Sequence, residues 1–567
     1  MPKTTGGGAV VAALEAEGVR HVFGLIGSAG MEIFDALYQR PSIRFIGVRD
    51  ERTGTHMADG YARASGGAGV FLAGQNGPGA TNTVTGLAQA YAAYSPVVVL
   101  AGSLSSAHVH RDAFQEVDQQ ALFKPITKGC WTVTQAARIP EAVREAFRTA
   151  LAPRCGPVAL NLPRDLLAET REFPDPEQRA ASRVSAPPGG NPDAVRAAAG
   201  LLAAAQRPLI LAGGGVKNGR SHQAVSKLAE LLHAPVATSP GHGDALPCTH
   251  PLYAGQVGPR GNAVASSLAR EADVILALGT RLGFNTTFYS YDHLNRDARI
   301  IQVEIEPTAL ARFFPVEIGI HGDAGVVASQ LADGLAGHAA SAALTWEQRF
   351  HVKRKALLSE RDEAGSRGGV PMQPASLFRA LRAAAPSNAM FTMDAGTLCL
   401  QATDQLQYVE PPALFTPLDF GLVGFSYACG LGAKVACPDR AVISLMGDGG
   451  FGMTMSEIGT AVSNGINTVC VVMNNGCWGA EKAYQRDFFG GRYIGADVPN
   501  PRYDKVAELF GAAGFRVEKP GEAEDAIRAA LACGRPAIVD VMIDPDALYS
   551  FRRDSFQHRA SPEKKER

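Results

Sequence analysis

Ala441-Val-Ile-Ser-Leu-Met-Gly-Asp-Gly-Gly450 opens a stretch that runs on to Asn474-Asn475, and its reading decides the fold. Residues 441–446 form an apolar run of strand length, and Gly447-Asp448-Gly449 is a tight turn. Phe451 to Asn464 carries Met455, Ile458 and Val462 at helical spacing, which predicts a helix burying that face. Thr468 to Met473 is a second buried-type strand, ending at the paired amides. Two parallel strands joined by a helix place Asp448 and Asn475 side by side at the carboxyl edge of one sheet. Open α/β sheets bind their ligands at that edge.

Those residue types suit a metal–diphosphate site. Mg²⁺ takes a near-octahedral shell of oxygens, usually one or two from protein and the rest from phosphate and water. Asp448 offers a carboxylate oxygen, Asn475 an amide oxygen and Cys477 its backbone carbonyl. Gly447, Gly449 and Gly450 leave room at the helix start, where free N–H groups favour an anion. The plainer alternative is a strand-end Asp that caps a helix, since Gly-Asp-Gly is common in turns. The amide pair one helix and one strand later favours the metal.

The rest of the chain reads the same way. Its 567 residues predict several domains, because single cores rarely exceed about 250–300 residues. Hydrophobic residues at 46% and charged residues at 19% describe a globular chain. A formal net charge of −1 gives no electrostatic case for nucleic acid or an anionic membrane surface. No apolar stretch reaches membrane-spanning length, and no signal-peptide pattern opens the chain. Nine scattered cysteines without metal-ligand spacing favour a reducing, cytoplasmic setting.

Strand-like runs alternate with helical patterns throughout, which predicts α/β architecture with three doubly wound parallel-sheet domains. The first, 1–170, opens with a helix over Ala9–Glu17 and closes near Asn161-Leu-Pro-Arg-Asp. A Pro- and Gly-rich linker precedes a middle domain at 191–337. A third domain covers 372–550, and 551–567 forms a charged tail. In the middle domain, the turn Ala212-Gly-Gly-Gly-Val-Lys217 follows a strand but lacks a complete dinucleotide fingerprint.

Several segments together resemble the thiamine diphosphate enzymes of the acetolactate synthase-like superfamily. Besides the Gly447–Asn475 stretch, these are Arg49-Asp-Glu-Arg-Thr-Gly-Thr-His-Met-Ala-Asp-Gly-Tyr-Ala-Arg63, Gly74-Gln-Asn-Gly-Pro-Gly-Ala-Thr-Asn82 and Asp112-Ala-Phe-Gln-Glu-Val-Asp118. The resemblance implies pyrimidine-binding, middle and diphosphate-binding domains in that order. It implies thiamine diphosphate with Mg²⁺, and makes Glu51 the carboxylate that hydrogen-bonds the cofactor's pyrimidine. Glu51 follows the apolar run Ile43–Val48 and precedes a helix expected from about Gly54, so it falls at a strand end. A first-turn helix carboxylate is the plainer account of the same position. The resemblance also puts Gly27, Ser28, Asn82, Asp394, Gly396 and Val423 against the cofactor, Val423 where the family carries a bulkier side chain. Phe114 and Gln115 fall on loop positions that reach the reacting side, Gln115 as a catalytic group. FAD in the middle domain is a minor expectation, carried by fold analogy alone.

Two stretches narrow the reading further. Trp478-Gly-Ala-Glu-Lys482 and Phe551-Arg-Arg-Asp554 resemble the sulfoacetaldehyde acetyltransferase group. That resemblance implies small-molecule chemistry in which sulfoacetaldehyde and phosphate become acetyl phosphate and sulfite. Trp478, Lys482, Arg486, Arg552 and Arg553 are the candidates for substrate and phosphate, because Arg offers a planar donor fork and Lys a compact charge. Lys482 is placed among the catalytic groups. An acetolactate synthase-like carboligase or a 2-oxo-acid decarboxylase is the alternative. The family's arrangement implies a homodimer or homotetramer.

Overall fold

The computed structural model describes residues 3–174, 186–337 and 343–551. Among them stand three six-stranded sheets and one two-stranded ribbon. Every neighbouring pair within the three large sheets is parallel. This is the α/β fold with three doubly wound sheets that the alternation of elements predicts.

The N-terminal sheet runs, in spatial order, Arg44–Gly47, His21–Leu25, Gly69–Ala73, Val97–Ser103, Val158–Pro163, Gly129–Thr132. The C-terminal sheet repeats that topology with Leu414–Phe415, Met390–Met393, Val442–Gly447, Val469–Asn474, Ala537–Met542, Ala513–Val517. Numbered by sequence, both are 2-1-3-4-6-5. The middle sheet is 3-2-1-4-5-6, from Tyr253–Gln256 at one edge to Ile318–His321 at the other. In each sheet the order reverses beside the first strand, which opens a crevice at the carboxyl ends. Gly27 and Gly74 stand at that point in the first sheet, and Asp394 and Asp448 in the third.

The strands hold because helices cover both faces. Val97–Leu100, Val274–Leu278 and Val469–Met473 are fully or almost fully buried, so these sequences read as continuous apolar runs rather than alternating ones. Each Val, Leu, Ile or Met among them contributes about 1.5–3 kcal/mol by leaving water. No described helix is long and apolar enough to cross a membrane.

By contacts the chain forms two compact units. One comprises 1–185 with 419–439 and 454–468. Within it, helix Ser426–Ala436 lies directly on helix Glu51–Ser65. A Cβ on Gly60 would sit 2.0 Å from the Cys429 carbonyl oxygen, and one on Gly432 would sit 1.8 Å from that of Met57. Both glycines are therefore required by backbone-to-backbone contact. The other unit comprises 186–418, 440–453 and 469–567.

Two local expectations need correction. The helix expected over Phe451–Asn464 is broken into Asp448–Gly452, a 3₁₀ turn Met455–Glu457, and Ile458–Asn464. Gly452 favours no helix, and the inward face carries Glu457, Ile458, Thr460 and Ala461, with Met455 and Val462 only half-buried. The helix expected from Gly54 instead begins at Glu51. Asp50 caps it, accepting from Arg52 N–H at 2.8 Å and Thr53 N–H at 3.4 Å.

His56 lies in that same helix, wholly buried, edge-on to the Phe425 ring at 5.3 Å. Neither ring nitrogen has a hydrogen-bond partner among the described residues. Burial, reinforced by Arg52 and Arg63, pushes the imidazole down to about 3. The fold therefore refuses a proton that the unfolded chain accepts near 6.5, so stability is full above that pH and falls as pH drops toward 3. The slope is about 1.4 kcal/mol per pH unit. Unfolding midpoints at about pH 7, 6 and 5 should fall less steeply in His56→Leu than in the wild type. Identical slopes would remove His56 as the titrating group.

Candidate active site

Chemistry-bearing residues gather in two clusters, one in each unit. The first surrounds Glu51, whose carboxylate is buried at 6% exposure although it heads a helix. Its Oε2 accepts from Asn82 Nδ2 at 3.1 Å. On its other side, a Cβ at Gly79 would lie 3.2 Å from Oε1, so the glycine leaves that oxygen uncovered. Gly27 packs on the Gly74–Gln75 backbone, where an added Cβ would sit 2.5 Å from Gly74 C. Ser28 N–H donates to Gln75 Oε1 at 2.8 Å, and Ser28 Oγ lies 3.2 Å from the same oxygen. Gln75 in turn donates to Gln115 Oε1. Gln115 is held in the left-handed region at φ +63°, and its carbonyl accepts from Asn76 Nδ2 at 3.0 Å. Gln75 and Asn76 were not singled out from sequence, yet they join Ser28, Gln115 and the loop that carries Phe114. Phe114 itself is 83% exposed, so it is no core aromatic.

The second cluster sits where Val442–Gly447 and Val469–Asn474 end. Asp448 is 1% exposed and Asn475 7%. One atom of the Asn475 amide lies 3.1 Å from the Cys477 carbonyl oxygen and 3.3 Å from Asp448 Oδ1. With nitrogen in that place, the amide donates to both and the cluster closes on itself. With oxygen there, three oxygens converge, an arrangement that needs a cation to hold it. Adjacent ligands of an octahedral Mg²⁺ at 2.0–2.1 Å lie about 3 Å apart, close to the spacing observed. The donor set therefore fits a hard divalent cation. No group of three or more His, Cys, Asp or Glu suited to a metal occurs among the described residues, so a softer ion has no comparable place. Burial pushes the Cys477 thiol up to about 11, leaving its carbonyl as the available donor.

Asn500 and Tyr503 stand behind this cluster and were not anticipated. Asn500 Nδ2 donates to Asp448 Oδ2 and lies 3.2 Å from Asn474 Oδ1. The Tyr503 hydroxyl is 3.1 Å from the Asp448 carbonyl and 2.9 Å from Asn500 Oδ1. Burial raises the Asp448 carboxyl to about 6, against the hydrogen bonds from Asn500 and the Gly449 N–H. An open cavity of about 310 Å³ borders Asn475, Asn500, Arg516 and Met542.

Around them, Asp394 ends its strand at 1% exposure, and Gly396 has φ +133°, a conformation that calls for glycine. Gly447 and Gly450 flank Asp448 in the turn. Gly449 meets the Trp478 ring. Val423, in segment 419–439, is half-buried in the unit that holds Glu51. The Lys482 ammonium pairs with Asp497 at 2.7 Å and lies 5.5 Å from the Tyr493 ring centre. Arg486 pairs with Asp487 at 2.8 Å and reaches the Leu548 carbonyl at 3.3 Å. Arg552 and Arg553 lie outside the described residues. In the middle sheet, the Gly-rich turn is explained by packing: a Cβ on Gly213 would sit 2.5 Å from the Gly279 carbonyl oxygen. Lys217 in that turn pairs with Asp244 at 3.0 Å.

Three parts of the chain match, in order, the thiamine pyrophosphate enzyme N-terminal TPP binding domain (residues 4–122), central domain (195–331) and C-terminal TPP binding domain (394–541). The chain belongs to the thiamine pyrophosphate enzyme family. Sulfoacetaldehyde acetyltransferase of Alcaligenes xylosoxydans xylosoxydans is 36% identical, covering 98% of this chain and 95% of that protein. The namesake from Castellaniella defragrans is 35% identical, covering 96% and 94%. A probable acetolactate synthase large subunit of Methanococcus aeolicus is 32% identical, covering 96% and 93%.

In this family member Gly449 has a steric reason to be glycine. An added Cβ would meet three Trp478 ring atoms at 2.6–2.8 Å, and an indole cannot swing clear as a flexible chain end would. Gly449→Ala should destabilise by about 1–3 kcal/mol through overpacking. Trp478→Leu in the same chain should recover most of that loss. Thermal melts of both variants check it; no recovery in the double variant would refute the contact.

Proposed function

We propose that this chain is a thiamine diphosphate- and Mg²⁺-dependent transferase that converts sulfoacetaldehyde and phosphate into acetyl phosphate and sulfite. The observation that carries the chemistry is the Glu51 carboxylate, buried and held by Asn82 on one oxygen while Gly79 leaves the other open. When bound, thiamine diphosphate supplies the carbon nucleophile. Glu51, buried and fixed by Asn82, would hydrogen-bond the pyrimidine ring and take part in its proton transfer. Asp448, the Asn475 amide oxygen and the Cys477 carbonyl would hold a divalent cation, which would supply positive charge for the diphosphate. In the second unit Asp394, Gly396, Gly447, Gly449 and Gly450 would form the turns that admit the diphosphate, and in the first unit Gly27, Ser28 and Val423 are the further cofactor candidates. Phe114 and Gln115 in the first unit, and Trp478, Lys482 and Arg486 in the second, are the candidates for substrate and phosphate, with Arg552 and Arg553 added from sequence alone.

The substrate assignment rests on the two sulfoacetaldehyde acetyltransferases that resemble the chain over nearly its whole length. A second reading, an acetolactate synthase-like carboligase or 2-oxo-acid decarboxylase, is favoured by the Methanococcus relative. The Lys482–Asp497 pair favours it as well, since that ammonium is already neutralised. We propose assembly as a homodimer or homotetramer. This follows the arrangement that the family resemblance implies. A cytoplasmic setting accords with nine free cysteines.

Incubation with sulfoacetaldehyde, thiamine diphosphate, Mg²⁺ and phosphate should release sulfite and yield acetyl phosphate by hydroxamate assay. Lys482→Met should raise the phosphate requirement, by about 10-fold if one charge-assisted hydrogen bond worth about 1.5 kcal/mol is lost. Sulfite release at equal rates without phosphate, or CO₂ release from pyruvate in its place, would replace this reading by the second.

A further inference from the structure

Glu457 is the residue that the reading above leaves unused. It is fully buried, at 0% exposure, in the 3₁₀ turn Met455–Glu457 of the unit that contains Glu51. Its carboxylate accepts from the Arg49 backbone N–H at 3.1 Å, from the Thr53 hydroxyl, and from the Thr460 hydroxyl at 2.6 Å. Arg49 and Thr53 bracket Glu51, two residues to either side. The Thr53 hydroxyl also lies 2.8 Å from the Asp50 carbonyl, but it has one proton and the carboxylate is the stronger acceptor.

Capping does not account for this arrangement. Asp50 already satisfies the free N–H groups of Arg52 and Thr53 at the helix start. Burying a carboxylate costs several kcal/mol unless donors surround it, so an apolar side chain would fill the place with less penalty. What the carboxylate adds is direction. It fixes a backbone N–H before Glu51 and a side chain after it, both from a segment some 400 residues away in sequence. Burial pushes the Glu457 carboxyl up, opposed by the hydroxyls of Thr460 and Thr53 and the Arg49 N–H.

We infer that Glu457 is a positioning residue for Glu51. It clamps the Arg49–Thr53 turn so that one Glu51 oxygen stays on Asn82 and the other stays open above Gly79. This rests on Glu51 being the proton-handling carboxylate. The test therefore measures two variants of the clamp beside Glu51→Gln.

In the cofactor-loaded protein, deuterium exchange at the thiazolium C2 position reads the proton transfer directly. Glu457→Ala should slow it by about 10–100-fold, the size expected when a catalytic group is misplaced by about 1 Å. Its thiamine diphosphate affinity by calorimetry should stay within about 3-fold, because no diphosphate contact is lost. Glu457→Gln keeps an acceptor toward Arg49 and Thr53 and should recover most of the exchange rate. Thr53→Val, which removes one donor and keeps the side-chain shape, should give an intermediate loss. In the cofactor-free protein, amide exchange over residues 48–53 should quicken in Glu457→Ala. Wild-type C2 exchange in both Glu457→Ala and Thr53→Val, with Glu51→Gln inactive in exchange, would overturn the clamp alone. If Glu457→Ala does not fold, wild-type exchange in Thr53→Val decides against it. Undiminished exchange in Glu51→Gln would overturn the Glu51 reading, and the clamp with it.

Discussion

A parallel sheet covered by helices on both faces leaves room for unpaired polar side chains mainly where its strands end, and those inside it, such as Thr392 on Ser444 and Arg516 on Asp540, are matched across neighbouring strands. This constraint arranges the molecule. The strand interiors Val97–Leu100, Val274–Leu278 and Val469–Met473 are apolar because both faces are dry. The groups able to do chemistry therefore follow the last residue of each strand: Gly27 and Ser28 after Leu25, Asp394 after Met393, Asp448 after Gly447, Asn475 after Asn474. The reversal of strand order beside the first strand then gives each sheet a crevice at that edge.

At the third sheet this edge holds an electrostatic conflict. Asp448 is buried without an ion-pair partner among the described residues, and burial raises its carboxyl to about 6. Asn500 and the Gly449 N–H offset part of that cost. The rest is left for a cation drawn in by Asp448, Asn475 and the Cys477 carbonyl, which binds only the ionised form. The same logic separates the candidates at the reacting end. Lys482 and Arg486 are already matched to Asp497 and Asp487, so an anionic substrate must compete with those carboxylates for them.

Much of this was legible in the sequence, for stated reasons. Apolar runs bounded by Gly and Asp mark parallel strands directly, so the fold class and the positions of Asp448 and Asn475 followed from local pattern. The segment around Glu51 resembles one family over many consecutive residues, and its helix was missed by only one turn because Asp50 caps it earlier than Gly54 suggested. The broken helix at 448–464 was not legible. Its inward polar residues Glu457 and Thr460 face partners near Arg49 and Gly47, a pairing no local period encodes. Asn500 and Tyr503 were missed for the same reason, since they reach Asp448 from over 50 residues downstream. Arg552 and Arg553 rest on sequence alone.

The central claim is that three oxygens at the end of the Val442–Gly447 and Val469–Asn474 strands collect a divalent cation that holds thiamine diphosphate. Calorimetric titration of thiamine diphosphate into metal-free protein, repeated with Mg²⁺ and with Asp448→Ala, tests it most directly. The account predicts binding only with Mg²⁺ in the wild type and none in the variant under either condition. Equal cofactor affinity with and without metal, or an unchanged affinity in Asp448→Ala, would contradict it.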